Sequence, residues 1–185
     1  MDPKVIIIIA VILVLVIIGY IIYISKRNKE IDETILENNQ CKAIKVKNKG
    51  YDYVLMKDEL EIYVKIAYIP KHSQVCINSK ETWRLNWNTF KTEIGSSYSN
   101  NRYMDELVNF LKNDIVLKDQ NKKVLKYIVL YKTCEGIVRY LNESELDVVT
   151  IKNSPYGYKV GKFDKFNEDL EYILNESLSD LKNKK

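Results

Sequence analysis

Polarity divides this chain at one place. From Val5 to Ile24 the sequence VIIIIAVILVLVIIGYIIYI has no charge and no amide; its only polar side-chain atoms are the phenol oxygens of Tyr20 and Tyr23. At roughly 1.5 Å per residue, a helix of about 20 such residues is about 30 Å long, which matches a bilayer's hydrocarbon core. Val and Ile favour strands in water. In lipid, a lone span satisfies its own backbone groups only as a helix. The pattern predicts a transmembrane helix over 5–24. The run exceeds the roughly 7–15 residues of a cleaved signal's apolar region, and no A-x-A-like site follows, so it is expected to be retained.

Beyond the span the periodicity changes repeatedly. Residues 1–4 are a short flank. Residues 25–40 are polar with Ile31, Ile35 and Leu36 near helical spacing, and form a stalk or a first helix. From 41 to 185 the pattern predicts one α+β or α/β domain, a mixed sheet flanked by helices. Lys42–Lys47 alternates as an edge strand, and Asn48-Lys49-Gly50 makes a turn. Tyr51–Met56, Leu60–Ile69 and Gln74–Asn78 are strands. Trp83, Leu85 and Trp87 share one face of an extended segment; such an aromatic stripe can stack bases, but its ordinary use is core packing. Glu93–Asn100 is expected to be a loop. Asn101–Asn113 is expected to be a helix with Met104, Leu107, Val108 and Leu111 as its buried stripe. Lys123–Tyr131 is the most apolar strand and belongs inside a sheet. Ile137–Leu141 and Asp147–Ile151 are strands around an Asn142–Glu145 turn, and Ser154–Gly157 is a loop. The final helix, Asp164–Lys182, starts at a residue able to cap it and carries the stripe Phe166, Leu170, Ile173, Leu174, Leu178 and Leu181.

Charge orients the span. Lys26, Arg27 and Lys29 follow it closely, whereas Lys4 alone precedes it. The positive-inside rule then puts the N-terminus outside and the domain in the cytoplasm of a single-pass cell-membrane protein. Tyr20, Tyr23, Lys26, Arg27 and Lys29 are its membrane-interface residues. The span has no ionisable group and no small-xxx-small face, so it reads as a passive anchor.

Composition excludes more than it suggests. The chain has 29 Lys and Arg against 25 Asp and Glu, net +4 at pH 7. Only Arg27, Arg84, Arg102 and Arg139 are arginine, few for a dedicated phosphate reader. Three separated cysteines (Cys41, Cys76, Cys134) make neither a disulfide framework nor a C-x-x-C pair, which agrees with a reducing compartment. A single histidine, His72, rules out a one-chain His/Cys zinc site and leaves Ser–His–Asp chemistry without support. No cofactor is implied.

One constellation bears on chemistry. Tyr51–Lys65 reads YDYVLMKDELEIYVK. With Asp58-Glu59 as a two-residue turn, Asp52 faces Lys65, Val54 faces Tyr63 and Met56 faces Glu61. That is a cross-strand charge pair worth under about 1 kcal/mol. The segment also resembles the core of the PD-(D/E)xK restriction-endonuclease-like fold. That core has a helix, three strands carrying an aspartate and then a carboxylate-x-lysine, a helix and a strand. The resemblance covers roughly 30–131 and makes Asp52 and Lys65 the candidate catalytic residues, with Tyr63 standing where a second carboxylate belongs. It implies metal-assisted attack on a phosphodiester, for which Mg²⁺ needs carboxylate ligands. Glu61 lies about 6.6 Å along the strand at roughly 3.3 Å per residue. Glu30, Glu33 or Glu37 would be the alternative source of a third carboxylate. The expected function is a membrane-anchored, non-catalytic interaction domain that binds another protein near the membrane. The alternative is a tethered nuclease or nucleic-acid binder with a rearranged site. Lipid binding through three basic residues falls short of the usual 4–8.

Overall fold

The computed structural model describes residues 2–47, 49–91, 97–113, 122–132, 134–142, 145–153 and 155–182. The chain divides into two units, Met1–Asn38 and Asn39–Lys185.

The first unit is one helix, α1 (Pro3–Leu36). Asp2 caps it, accepting from the Lys4 N–H at 2.9 Å, and Pro3 takes a first-turn position that needs no N–H. At the other end the Glu37 N–H donates to the Glu33 carbonyl at 3.1 Å, and the Asn38 side chain donates to the Ile35 carbonyl. Its most apolar window has a mean hydropathy of 3.6 and is wholly unburied. The helix is therefore long and apolar enough to cross a membrane. It does not stop at Ile24: the 25–36 stretch continues it without a break, because nothing from Ser25 to Leu36 is a Gly or Pro.

The second unit is α+β, with two five-stranded sheets where the patterning indicated one. Its elements are β1 (Lys42–Lys45), β2 (Tyr53–Lys57), β3 (Leu60–Tyr68), β4 (Ser73–Ile77), β5 (Trp83–Lys91), β6 (Ser97–Tyr103), α2 (Asp105–Lys112), β7 (Lys123–Tyr131), β8 (Cys134–Asn142), β9 (Glu145–Val148), β10 (Tyr158–Lys162) and α3 (Phe166–Lys182). The first sheet runs β1-β2-β3-β7-β10 and the second β6-β5-β4-β8-β9. β3 and β7 are parallel, and so are β4 and β8, the strands that follow each of them. The neighbouring pair thus leaves one sheet and enters the other together. The Ile69 N–H still reaches the Tyr131 carbonyl, 2.8 Å, at the crossing. Pro70 and the positive φ of His72 (57°) turn the first of the two connections.

The main core lies between the sheets. Tyr63, Ala67, Ile128, Leu130 and Val160 come from the first, and Val75, Ile77, Trp83, Leu85 and Ile137 from the second. Leu107, Phe110 and Leu111 of α2 complete it. The aromatic stripe is part of this core: Trp83 and Leu85 are buried, and Trp87 packs partly buried against them. On β7 the alternate face carries Tyr127, whose ring stacks on Phe166 of α3 at 6.0 Å. Phe166, Leu170, Ile173 and Leu174 bury the α3 stripe; Leu178 is half-buried.

Several boundaries differ from the pattern. The expected loop 93–100 is strand β6 from Ser97 on, and 101–103, expected to be helical, continues it; residues 93–96 lie outside the described residues. Ser and Asn have low strand preference, but antiparallel pairing with β5 (Asn101↔Asn86, Asn100↔Trp87) overrides it. α2 starts at Asp105 and buries Leu107, Phe110 and Leu111, while Val108 is half-buried. The Asp147–Ile151 strand is displaced to Glu145–Val148, where it pairs with β8. β10 was not visible in the pattern at all. Phe163–Lys165 is a 3₁₀ turn, so Asp164 does not cap α3. Asn48, Glu143, Ser144 and Ser154, in expected turns and loops, lie outside the described residues.

Candidate functional site

The β2–β3 hairpin turns at Asp58-Glu59, with Asp58 in the left-handed region (φ 52°). Its register pairs Val54 with Tyr63 and Met56 with Glu61, as the two-residue turn predicts. The strand β2 begins at Tyr53, but Asp52 extends its bonding: the Asp52 N–H donates to the Val64 carbonyl at 2.9 Å, and its side chain adds to this. Asp52 Oδ2 accepts the Ile66 N–H at 2.8 Å, and Oδ1 accepts from Lys65 Nζ at 3.2 Å. Both carboxylate oxygens are engaged, one by the backbone. The Lys65 side chain is 19 % exposed and the Asp52 side chain 36 %. Sequence thus brings Asp52 and Lys65 together, and the bonds they make close the end of a hairpin.

Glu61 is held separately. Tyr63 donates its hydroxyl to Glu61 Oε2 at 2.9 Å, and Lys122 Nζ lies 2.6 Å from Oε1. Burial first, then the bond to Glu61, pushes the Tyr63 phenol up to about 12. The Tyr51 ring meets Tyr63 edge-on at 4.8 Å. On α2, Glu106 binds Arg102 in a fork, 2.8 and 2.9 Å. Burial raises the Glu106 carboxyl, but the Arg102 bonds, its own backbone N–H and the charges of Arg102 and Lys65 outweigh this and hold it low. Among the described residues, no three His, Cys, Asp or Glu side chains converge as a metal cluster. Glu30, Glu33 and Glu37 belong to the first unit, where Glu33 pairs with Lys29 at 3.4 Å.

The remaining candidates have plain geometries. Tyr20 and Tyr23 are exposed on α1, and the Arg27 guanidinium donates to Asn28 at 3.4 Å. His72 sits in an exposed turn, 3.2 Å from Glu135. Cys76 and Cys134 are buried, which raises both thiols; Cys41 is half-exposed.

One buried polar constellation escaped the pattern. Asp169 of α3 is 9 % exposed and accepts the Tyr127 hydroxyl at 3.2 Å. Burial raises its carboxyl above the ordinary value, against the pull of Tyr127 and Lys165; Glu168 and Asp164 add to the rise. A signal existed: Asp169 sits three residues after Phe166 and next to Leu170, on the flank of the apolar stripe. A raised native value means that Asp169 favours folding fully only below its unfolded value. The contribution is lost as pH climbs through the native value. Asp169→Asn, which keeps an acceptor for Tyr127, is expected to stabilise the domain at pH 7, on the order of 1 kcal/mol. The gain should shrink toward pH 4, near the ordinary Asp value of about 3.9. Urea melts at several pH values check this; a gain that does not vary with pH would contradict it.

No family model, curated protein or solved structure matches the chain.

Proposed function

We propose that this is a single-pass cell-membrane protein whose domain, residues 39–185, faces the cytoplasm and binds a partner protein without catalysing a reaction. The observation that carries the reading is the wholly exposed apolar surface of α1, which water would not tolerate on an isolated helix. Lys26, Arg27 and Lys29 after the span support the orientation. The absence of catalysis is inferred from the bonds already described. Asp52 is spent on a backbone N–H and Lys65, and Glu61 on Tyr63 and Lys122. An interaction role is supported by the apolar side chains that β8 and β9 leave exposed, Tyr140, Leu141, Leu146 and Val148.

A second reading, a tethered domain related to PD-(D/E)xK nucleases, is favoured by one observation. α2 lies in the chain between β3 and a β7 that returns parallel beside it, with Asp52 and Lys65 paired on the neighbouring hairpin. Nucleic acid would then be the partner. The two readings part on one assay. With Mg²⁺ or Mn²⁺ the purified protein is expected to leave DNA and RNA intact, and Asp52→Ala and Lys65→Ala to change nothing but stability. Cleavage by the wild type, lost in both variants, would overturn the non-catalytic reading.

A further inference from the structure

A cavity of about 300 Å³ opens where the end of β10 and the first turns of α3 meet β8 and the residues after β9. That is the size at which small-molecule pockets begin. Asp169 stands in its wall beside Gly161. Asp169 Oδ2 is turned to the Tyr127 hydroxyl and to the space that a Gly161 side chain would fill. Oδ1 takes no bond among the described residues. It is not sealed either: the sealed side-chain atoms without a partner are Arg27 Nε, Gln40 Oε1, Trp83 Nε1 and Arg139 Nε. With Asp169 in the cavity wall and only 9 % exposed, the space that Oδ1 meets is the cavity. A buried carboxylate with one oxygen unbonded is costly, and the domain carries one here.

Two cations share the wall, Lys162 and Lys165. Burial raises the Asp169 carboxyl and the Cys134 thiol; the Lys165 charge opposes the first rise and the Lys162 charge the second. Both ammonium groups are therefore near the cavity, and neither makes an ion pair or a hydrogen bond among the described residues. Glu135, also in the wall, is met by His72 at 3.2 Å. Ile137 and Ile151 add apolar surface.

We propose that this cavity binds a small zwitterion with an apolar side chain, of the α-amino acid class. Its ammonium sits on Asp169 Oδ1, its carboxylate between Lys162 and Lys165, and its side chain on Ile137 and Ile151. A plain anion would meet the Asp169 carboxylate, and a plain cation the two lysines. A zwitterion answers both, with charge-assisted bonds at each end. This goes beyond the protein-binding reading and stands without it.

The test titrates the full chain in detergent micelles with L-leucine and L-phenylalanine by calorimetry, against a micelle blank. The controls are 4-methylpentanoate, which is leucine without its ammonium, and 3-methylbutylamine, which is leucine without its carboxylate. Saturable binding of at least one amino acid is expected, with each leucine control about tenfold weaker than leucine if leucine binds. In protein labelled with carboxyl-¹³C aspartate, the resonance that disappears in Asp169→Asn should shift on binding. Asp169→Asn should weaken binding about tenfold. It is also expected to stabilise the domain, so unfolding does not account for the loss. Lys162→Met and Lys165→Met should each weaken binding several-fold. No saturable binding of either amino acid would overturn the proposal. So would a leucine control that binds as well as leucine, an unmoved Asp169 resonance, or unchanged affinity in Asp169→Asn.

Discussion

Gly161→Ala is expected to cost the domain about 3 kcal/mol, the upper end of what overpacking a filled interior usually costs. Gly161 lies on β10, paired with Val129 of β7. A Cβ there would stand 2.5 Å from the Tyr127 hydroxyl and closer still to Asp169 Oδ2. Neither group can step aside freely. Tyr127 is fully buried and stacked on Phe166, and Asp169 is anchored in the first turns of α3. The missing side chain is what lets the Asp169–Tyr127 pair sit against the strand. The loss should therefore depend on the carboxylate. In an Asp169→Ala background the same substitution should cost markedly less, and a double-mutant cycle by urea denaturation measures that coupling. Equal costs in the two backgrounds would show that the strand itself, not the pair, rejects the methyl group.

The second large effect belongs to Lys126. From β7 its ammonium donates to the carbonyls of Phe110 and Asn113, 2.7 Å each, and of Leu111 at 3.2 Å. These are the last carbonyls of α2 and the residue after it, which no helical N–H can satisfy. The Phe110 and Tyr158 rings flank the charge, each 5.5 Å away. A positive charge at a helix C-terminus is also favoured by the helix dipole. Lys126→Met keeps the apolar stem and removes all three bonds. With charge-assisted bonds worth roughly 1.5–3 kcal/mol singly and not additive, a loss of about 3 kcal/mol is expected. Tyr158→Phe removes one neutral bond, 2.9 Å to the Leu111 carbonyl, and should cost only about 1 kcal/mol. If the two variants melt alike, Lys126 is not the cap.

These two sites also mark where sequence reasoning stopped. α1 was legible because an unbroken apolar run needs no partner to be recognised. The β2–β3 register was legible because a two-residue turn fixes every pair that follows it, Asp52 and Lys65 included. The α3 stripe follows from its 3.6-residue period. What failed depends on distant strands. β6 is a Ser- and Asn-rich segment held in a ladder by β5. β10 carries Lys159, which is buried with its ammonium met by Glu176 on α3 and by the Ile151 carbonyl, so its alternation of polar and apolar residues is blurred. The division into two sheets is set by how β3 and β7 leave the first sheet together, a relation between segments more than fifty residues apart. Lys126 read as one more lysine on a strand, since the carbonyls it serves come from another element.

The central claim, that α1 is a retained membrane anchor with the domain behind it in the cytoplasm, is tested most directly by one mass measurement. Intact cells are treated with a membrane-impermeant maleimide, and the protein is recovered from carbonate-washed membranes and weighed whole. Cys41 is the reporter, because Cys76 and Cys134 are buried. The expected result is a chain that still carries residues 5–24 and bears no label, with Cys41 labelled only once the cells have been opened. Protein released by carbonate, a mass lacking the apolar segment, or labelling of Cys41 in intact cells would contradict it.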